Sequence, residues 1–453
     1  MPKYHIVTLG CQMNKNDSER MAGLLAALGF SAAAGEEGAD LIITNTCSVR
    51  QSAEERIYGK QQDWAKLKEK NPKLIVAVTG CMAGRDLKGE IRRKLPTVDL
   101  FFPTRDMVNL PRWIAGLRPE LANSSDLAED YLKIRPLRAP SAQAYVTIQT
   151  GCNKYCTYCV VPYARGPERN RLAGDVLGEL RELAGQGVIE ATLLGQSVNS
   201  YVAADPWIFS TENPYTTSPI DPTRNPPTAN HFAALLWEVS RIPGLERIHW
   251  TAAHPISMND EIIDALALPK QVNYLHLPVQ AGNDEVLARM NRKYTRAGFM
   301  AIIEKIRAKR PGIALGTDII VGFPGESHEQ FADTVSLYEG CDFDIAYTAQ
   351  YSQRSGTLGA RLYPDDVPAE EKRRRWDVLQ GLMEATALRK NQIYVDKVVN
   401  VLVEGIADGR AHGNTREMKF ASFPCLDTAL VGKEVPVKIT AALTWQLQGE
   451  LIC

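Results

Sequence analysis

Three times in the first 120 residues, an apolar, β-branched run ends in a cysteine and gives way to a polar, helix-like segment. The runs are HIVTLG before Cys11, LIITNT before Cys47 and LIVAVTG before Cys81. The intervals between these cysteines, 36 and 34 residues, each match one strand–helix unit. Continuous apolar strands alternating with helices predict a parallel sheet covered on both faces. All three cysteines then lie just past the carboxyl ends of their strands, the edge at which open parallel sheets bind ligands.

A second series of strand-like runs follows: YVTIQT, EATLLG, ERIHWT, NYLHLPV, IALGTDIIVGF and FDIAYTAQY. Six such units separated by helical segments predict a parallel barrel, complete or partial. Residues 121–143 lack apolar periodicity and read as a linker. Residues 200–230 hold six prolines and read as a functional or disordered insertion. Residues 368–394 predict a helix with a charged face that includes Lys372 to Arg375. Short alternating runs over 397–452 predict a small antiparallel barrel. The fold class is therefore α/β: an N-terminal parallel domain over 1–120, a linker over 121–143, a barrel over 144–375, and a helix plus small β-barrel over 376–453.

Composition narrows the setting. A chain of 453 residues, 45% apolar and 23% charged, has the make-up of a soluble protein of two or three domains. MPKYHIVTLG does not read as a signal peptide, and no apolar run is long enough to cross a bilayer. A cytoplasmic protein is expected, with its nine cysteines mostly reduced and available as ligands. The net charge of −1 does not announce a polyanionic partner.

The loop QTGCNKYCTYC carries Cys152, Cys156 and Cys159 within eight positions. Structural zinc asks for four ligands, usually as paired C-x2-C units, and only Cys156 and Cys159 have that spacing. A redox dithiol would not need the third thiol. Three thiolates on a four-iron cluster leave one iron open to a reacting ligand. Cys11, Cys47 and Cys81 could converge on a second cluster that is again one ligand short. Cys341, Cys425 and Cys453 lack such partners and read as ordinary thiols.

C-x3-C-x2-C after the first barrel strand resembles the radical S-adenosylmethionine (SAM) superfamily, and VGFPGE at 321–326 resembles its SAM-contacting segment. With the N-terminal cysteines and the C-terminal barrel, the whole chain resembles the methylthiotransferase family. That resemblance implies a cluster-binding α/β domain, a radical SAM partial barrel and a TRAM β-barrel. It implies two [4Fe-4S] clusters, a SAM-coordinating one on Cys152, Cys156 and Cys159 and an auxiliary one on Cys11, Cys47 and Cys81. Reduction of the first would cleave SAM to a 5′-deoxyadenosyl radical. Tyr158, Gln196, Gln280, Gly322 and Glu326 would bind the cofactor.

LGCQMN, NTCSVR, CVVPYARGPERNR, LLGQSVNSY, LHLPVQAGNDEVLARMNRKYTR and TDIIVGFPGE resemble the branch acting on N6-isopentenyladenosine at tRNA position 37. The implied product is its C2 methylthio derivative. Sister branches act on N6-threonylcarbamoyladenosine of tRNA or on a ribosomal-protein aspartate. A non-catalytic iron–sulfur RNA-binding protein is the alternative of another class, and incomplete ligation argues against it. Ala281 and Asn283 stand where the family more often has serines, Ser197 where asparagine is usual, and Ala253 where serine is expected. Arg165, Arg169, Arg171, Arg292 and Lys293 are candidates to meet tRNA phosphates, as are Arg410, Arg416 and Lys419 in the last domain. The partners implied are the tRNA anticodon stem-loop, an electron donor such as flavodoxin or ferredoxin, and a sulfur source. A monomer with no membrane association is expected.

Overall fold

A computed structural model of the chain describes residues 1–48, 51–121 and 130–452, without the side chains of residues 51 and 52. Part of the linker, 122–129, and Cys453 lie outside the described residues. The chain forms two compact units. One comprises Met1–Pro140, Gln149–Arg169 and Arg354–Thr357, and the other Ser141–Ile148, Asn170–Gln353 and Leu358–Cys453.

The first unit is built on five parallel strands in the order Ser31–Ala32, Lys3–Leu9, Leu41–Thr46, Ile75–Gly80 and Leu100–Phe102. Leu41–Thr46 and Ile75–Gly80 are buried at every position, so they read as unbroken apolar runs. Alternate side chains serve two cores: Leu41, Ile43 and Ala77 pack with Met21, Leu25 and Ile114, while Ile42, Val76 and Val78 pack with Ile57 and Trp64.

Two features depart from the sequence reading. Tyr131, Leu132 and Ile134, in the segment read as linker, are buried in the first of those cores. The Arg20 guanidinium holds this stretch by donating to the carbonyls of Leu132 at 3.2 Å and Ile134 at 2.5 Å. The helix Gln12–Ala27 buries Asn14, Asn16, Asp17 and Arg20 as well as its apolar residues.

The second unit carries six parallel strands as two three-stranded sheets. Gln143–Thr147, Glu190–Leu194 and Arg247–Trp250 form one, and Tyr274–His276, Ala314–Val321 and Ile345–Gln350 the other. An isolated parallel bridge between Ile248 and Gln271 joins them into a partial barrel. Leu315, Ile319 and Val321 pack outward under the helices. Gly316 and Asp318, on the alternate face, therefore point inward. Five further strands close the small C-terminal barrel in the order Val398–Ala407, Arg410–Thr415, Phe420–Pro424, Leu447–Leu451, Glu434–Ala442.

The 200–230 segment is ordered by polar contacts. Asp205 accepts from the amides of Ala173 (2.7 Å) and Gly174 (2.9 Å), capping the helix Ala173–Gly185 from outside. Asn213 donates to the Ala234 carbonyl at 2.9 Å, Phe209 and Tyr215 are buried in the barrel core, and Trp207 is exposed. In the helix Ala369–Gln392, Lys372 and Arg375 are buried rather than part of an exposed charged face. Lys372 reaches Asp365 at 2.5 Å and the Tyr351 carbonyl at 3.3 Å. No described helix is long and apolar enough to cross a membrane.

Candidate functional site

Cys11, Cys47 and Cys81 each follow the last residue or two of a strand in the first unit. Cys11 is exposed at the N-cap of Gln12–Ala27, where its amide donates to Asn14 Oδ1 at 3.2 Å. Asn14 is in turn tied to Asn45, Nδ2 to Oδ1 at 2.9 Å, which links the first two strand ends. The Cys47 amide donates to the Leu9 carbonyl at 2.8 Å. Cys81 opens the helix Cys81–Gly84 after Gly80, whose φ of +102° and nearness to the Thr46 carbonyl (2.2 Å from an added Cβ) demand glycine.

The three thiols act on one another electrostatically. Burial pushes the Cys81 thiol up to about 11, against the Arg165 guanidinium, and the Cys47 and Cys11 thiols push it further up. Cys81 thus stays protonated near neutrality until a metal takes the proton's place.

Arg165 is carried by the short helix Val161–Arg165, which begins two residues after Cys159. Its side chain is 3% exposed, and Nη2 donates to Asp17 Oδ2 at 2.6 Å. Asp17 Oδ1 accepts from the Tyr131 hydroxyl. Arg165 Nη1 is buried with no hydrogen-bond partner. Arg165, an expected RNA contact, is thus buried and paired with Asp17.

In the 152–159 loop, Cys152 and Cys156 are buried and Cys159 is half-buried. The amides of Lys154 and Val161 point at the sulfurs of Cys152 and Cys159, each at 3.5 Å. Burial pushes Cys152 up to about 12, opposed by the Lys154 amide. Gly151 (φ +77°) and Tyr155 (φ +50°) turn the chain tightly, and a Cβ on Gly151 would meet the Pro167 carbonyl at 2.0 Å. Backbone donors aimed at thiols suit metal-bound thiolates. Among the described residues, no three Cys, His, Asp or Glu side chains converge where one ion could be held. A single zinc gathers its sulfurs at about 2.3 Å from one centre, whereas a cluster takes each thiolate on a different iron. Each triad offers three thiols, the donor type such a cluster takes.

The barrel unit supplies the other cofactor candidates. Glu326 accepts from the Gly322 amide at 2.6 Å and from Arg375 Nη1 at 2.7 Å, both on Oε2, which closes the turn after Ala314–Val321. Burial pushes the Glu326 carboxyl up, while the Gly322 amide and Arg375 oppose the shift. Its Oε1, and Oε1 of Gln196, are buried without partners. Gly322 sits at φ +68°, where a Cβ would lie 2.3 Å from Lys372 Cγ. Gln280, also left-handed at φ +75°, is pinned between the Asp318 carbonyl and the Ile320 amide. Tyr158 is half-buried in the cysteine loop of the first unit. Orphaned acceptors suit a ligand rich in N–H and O–H donors, as SAM is.

Inside the barrel, a polar group escaped the sequence reading. His276 Nδ1 meets the Tyr274 hydroxyl at 3.0 Å, and Nε2 lies 3.2 Å from Asp318 Oδ2. A Cβ at Gly316 would lie 2.0 Å from that hydroxyl, so glycine makes the room for Tyr274. His249 packs edge-on against Tyr274; burial, with His276 and Arg247 nearby, pushes it down to about 3. The alternation in TDIIVGF was the available signal for Asp318, since a charged residue in a barrel strand faces inward.

Three of the remaining RNA candidates are largely buried and have partners within the chain. Arg171 is buried against Glu179 at 2.6 Å and the Thr147 carbonyl at 3.0 Å. Arg292 is buried and donates to the Pro278 carbonyl at 2.9 Å and the Tyr294 hydroxyl at 2.8 Å. Lys419, 10% exposed, pairs with Asp344 at 3.1 Å. Burial and internal partners commit these cations to the fold. Arg169 is half exposed beside Asp130, and Lys293 is exposed. Arg416, 31% exposed, forks onto Glu434 at 3.1 Å, and Arg410 donates to the Ser422 carbonyl at 3.0 Å.

A six-stranded partial barrel, a C-x3-C-x2-C loop and a closed C-terminal barrel define a radical SAM iron–sulfur protein. Residues 146–338 match the Radical SAM superfamily, 392–452 the TRAM domain, and 3–103 a family described as Uncharacterized protein family UPF0004. The chain is 40% identical to a protein of Thermoanaerobacter sp. (strain X514), over 99% of this chain and 92% of that one. It is also 40% identical to relatives from Moorella thermoacetica (99% and 98% covered) and Dictyoglomus thermophilum (100% and 99% covered). All three are named tRNA-2-methylthio-N(6)-dimethylallyladenosine synthase, and this chain belongs to that family. Among solved structures, the radical S-adenosylmethionine methyltransferase TsrM from Kitasatospora setae shares the fold. Its TM-score is 0.56 at 14% identity, covering 80% of this chain and 77% of that one.

Proposed function

We propose that this protein is a radical SAM methylthiotransferase that modifies C2 of N6-isopentenyladenosine, also called N6-dimethylallyladenosine, at tRNA position 37. The observation that carries the reading is the pair of cysteine triads, both gathered in the first compact unit of a chain related end to end to enzymes of that name. Cys152, Cys156 and Cys159 would hold the SAM-coordinating [4Fe-4S] cluster, and Cys11, Cys47 and Cys81 the auxiliary one. Together with SAM, such clusters supply one-electron cleavage to a carbon radical and a sulfur site for C–H functionalisation.

The chain's own residues do the binding and shaping. The amides of Lys154 and Val161 steady the loop sulfurs. Glu326 and Arg375 lock the 321–326 turn, leaving the unpaired oxygens of Glu326 and Gln196 for cofactor donors. Gln280, Gly322 and Tyr158 complete the proposed cofactor set. The exposed Arg169 and Lys293 would meet phosphates, with Arg416 a secondary candidate. A base presented in a single-stranded loop suits this chemistry, since its ring carbon must leave the stack.

The working organisation is an N-terminal domain over 1–120, a connection over 121–143, the radical SAM barrel over 144–375, and the helix plus TRAM barrel over 376–453. A monomer in the cytoplasm, a flavodoxin- or ferredoxin-type electron donor, a sulfur source and the tRNA anticodon stem-loop complete the proposal. Nucleoside mass spectrometry of tRNA from cells lacking the protein tests it. The 2-methylthio nucleoside should vanish and isopentenyladenosine accumulate. Loss of 2-methylthio-threonylcarbamoyladenosine instead would move the activity to the sister substrate.

A further inference from the structure

A buried polar cluster surrounds Arg165, next to the N-terminal thiols. Four observations converge on it. The guanidinium is buried and fixed by Asp17, which also holds the Tyr131 hydroxyl. Asp17 lies on the helix that Cys11 caps. The opposite nitrogen, Nη1, is buried with no hydrogen-bond partner. Lastly, the Cys81–Gly84 helix packs flush on Val161–Arg165, with Gly84 against the Ala164 carbonyl.

A guanidinium needed only to neutralise Asp17 would be expected to satisfy both terminal nitrogens within the fold. A donor left over at the edge of a thiol triad is what a sulfur acceptor, supplied on loading, would complete. Hydrogen bonds to cluster sulfurs stabilise the reduced, more negative state and raise the reduction potential. We propose that Arg165 is a positioning residue of the N-terminal centre, donating from Nη1 to sulfur at Cys81 and thereby setting that centre's electron affinity. The helix that carries it leads straight out of the 152–159 loop, so the same side chain ties the two triads together. This rests on the reading of Cys11, Cys47 and Cys81 as ligands of an auxiliary cluster.

The test uses the full-length chain reconstituted anaerobically with iron and sulfide, carrying Cys156→Ala so that only the N-terminal centre is read. Iron content, a redox titration followed by electron paramagnetic resonance, and thermal unfolding of the apo-protein are compared for Arg165, Arg165→Lys and Arg165→Met. The parent should load about four irons. The potential should fall in Arg165→Met and lie between the two in Arg165→Lys. Equal potentials in all three at full iron would overturn the proposal. If Arg165→Met loses its iron, an unchanged apo unfolding temperature with iron retained in Arg165→Lys supports it. An equal fall in apo unfolding temperature in both variants assigns Arg165 to the fold alone and overturns it. A parent that binds no iron removes the auxiliary-cluster reading itself, and this is told apart by the iron assay.

Discussion

Gly84 lies against the backbone of Ala164 so closely that a methyl group there would sit 2.1 Å from the Ala164 carbonyl oxygen. The two residues belong to the helix opened by Cys81 and to the helix that follows the 152–159 loop. Gly84→Ala must push the helices apart, at a cost of about 1–3 kcal/mol as for other overpacked sites. Iron incorporation at both triads should drop with it. Urea unfolding of the apo-protein and iron assay after reconstitution check this; unchanged values for both would show that the contact gives way freely.

The two triads should separate by product. Cys156→Ala should abolish production of 5′-deoxyadenosine from SAM under reducing conditions. Cys47→Ala should retain that production and lose methylthiolation of tRNA. Chromatography of the small-molecule products, alongside nucleoside analysis of the same reactions, distinguishes the cases. Deoxyadenosine formed by Cys156→Ala would remove the loop from its assigned role.

His249 gives the barrel an acid sensitivity with a definite sign. Its folded value of about 3 lies below the ordinary value of 6.5, so below pH 6.5 the unfolded chain binds a proton that the folded chain refuses. Stability from this residue is complete above pH 6.5 and is lost as pH falls toward 3. The slope is at most about 1.4 kcal/mol per pH unit. His249→Gln should flatten the stability–pH profile over this window, measured by denaturant titrations at successive pH values.

Arginines of one short stretch should behave in opposite ways. Arg169→Ala removes a half-exposed cation and should weaken anticodon stem-loop binding, lowering the salt-dependence slope by about 1 with little loss of stability. Arg171→Ala removes a buried cation from Glu179 and a donor from the Thr147 carbonyl, so its main effect should be on folding, up to about 3–5 kcal/mol for a broken buried pair. Fluorescence anisotropy across a salt series, paired with thermal unfolding, resolves them.

The parallel strands were legible because burial on both faces leaves no polar alternation, and the cysteines stand out at the strand ends. The fate of the charged side chains was not legible. Arg165 finds Asp17 148 residues away, and Arg375 finds Glu326 49 residues away. Whether an arginine is exposed depends on such distant partners, and RGPERNR reads the same in either case. Residues 200–230 misled for a related reason. Their prolines and polar residues carry no period, yet Asp205 spends its carboxylate on two amides of a helix about 30 residues earlier in the chain.

Arg247 bears on how far the C-terminal barrel can be treated as a detachable part. Its fully buried guanidinium is shared between Glu190 at 2.6 Å in the parallel barrel and, in the small barrel, Glu434 at 3.1 Å and the Thr415 carbonyl at 2.8 Å. The Asn273 amide likewise donates to the Arg416 carbonyl at 2.6 Å. Removing the small barrel would bare an interior cation to water and orphan a strand-edge amide. What looks like a modular appendage by sequence shares buried polar contacts with its neighbour, and swapping it between relatives would require carrying Arg247 and its acceptors along.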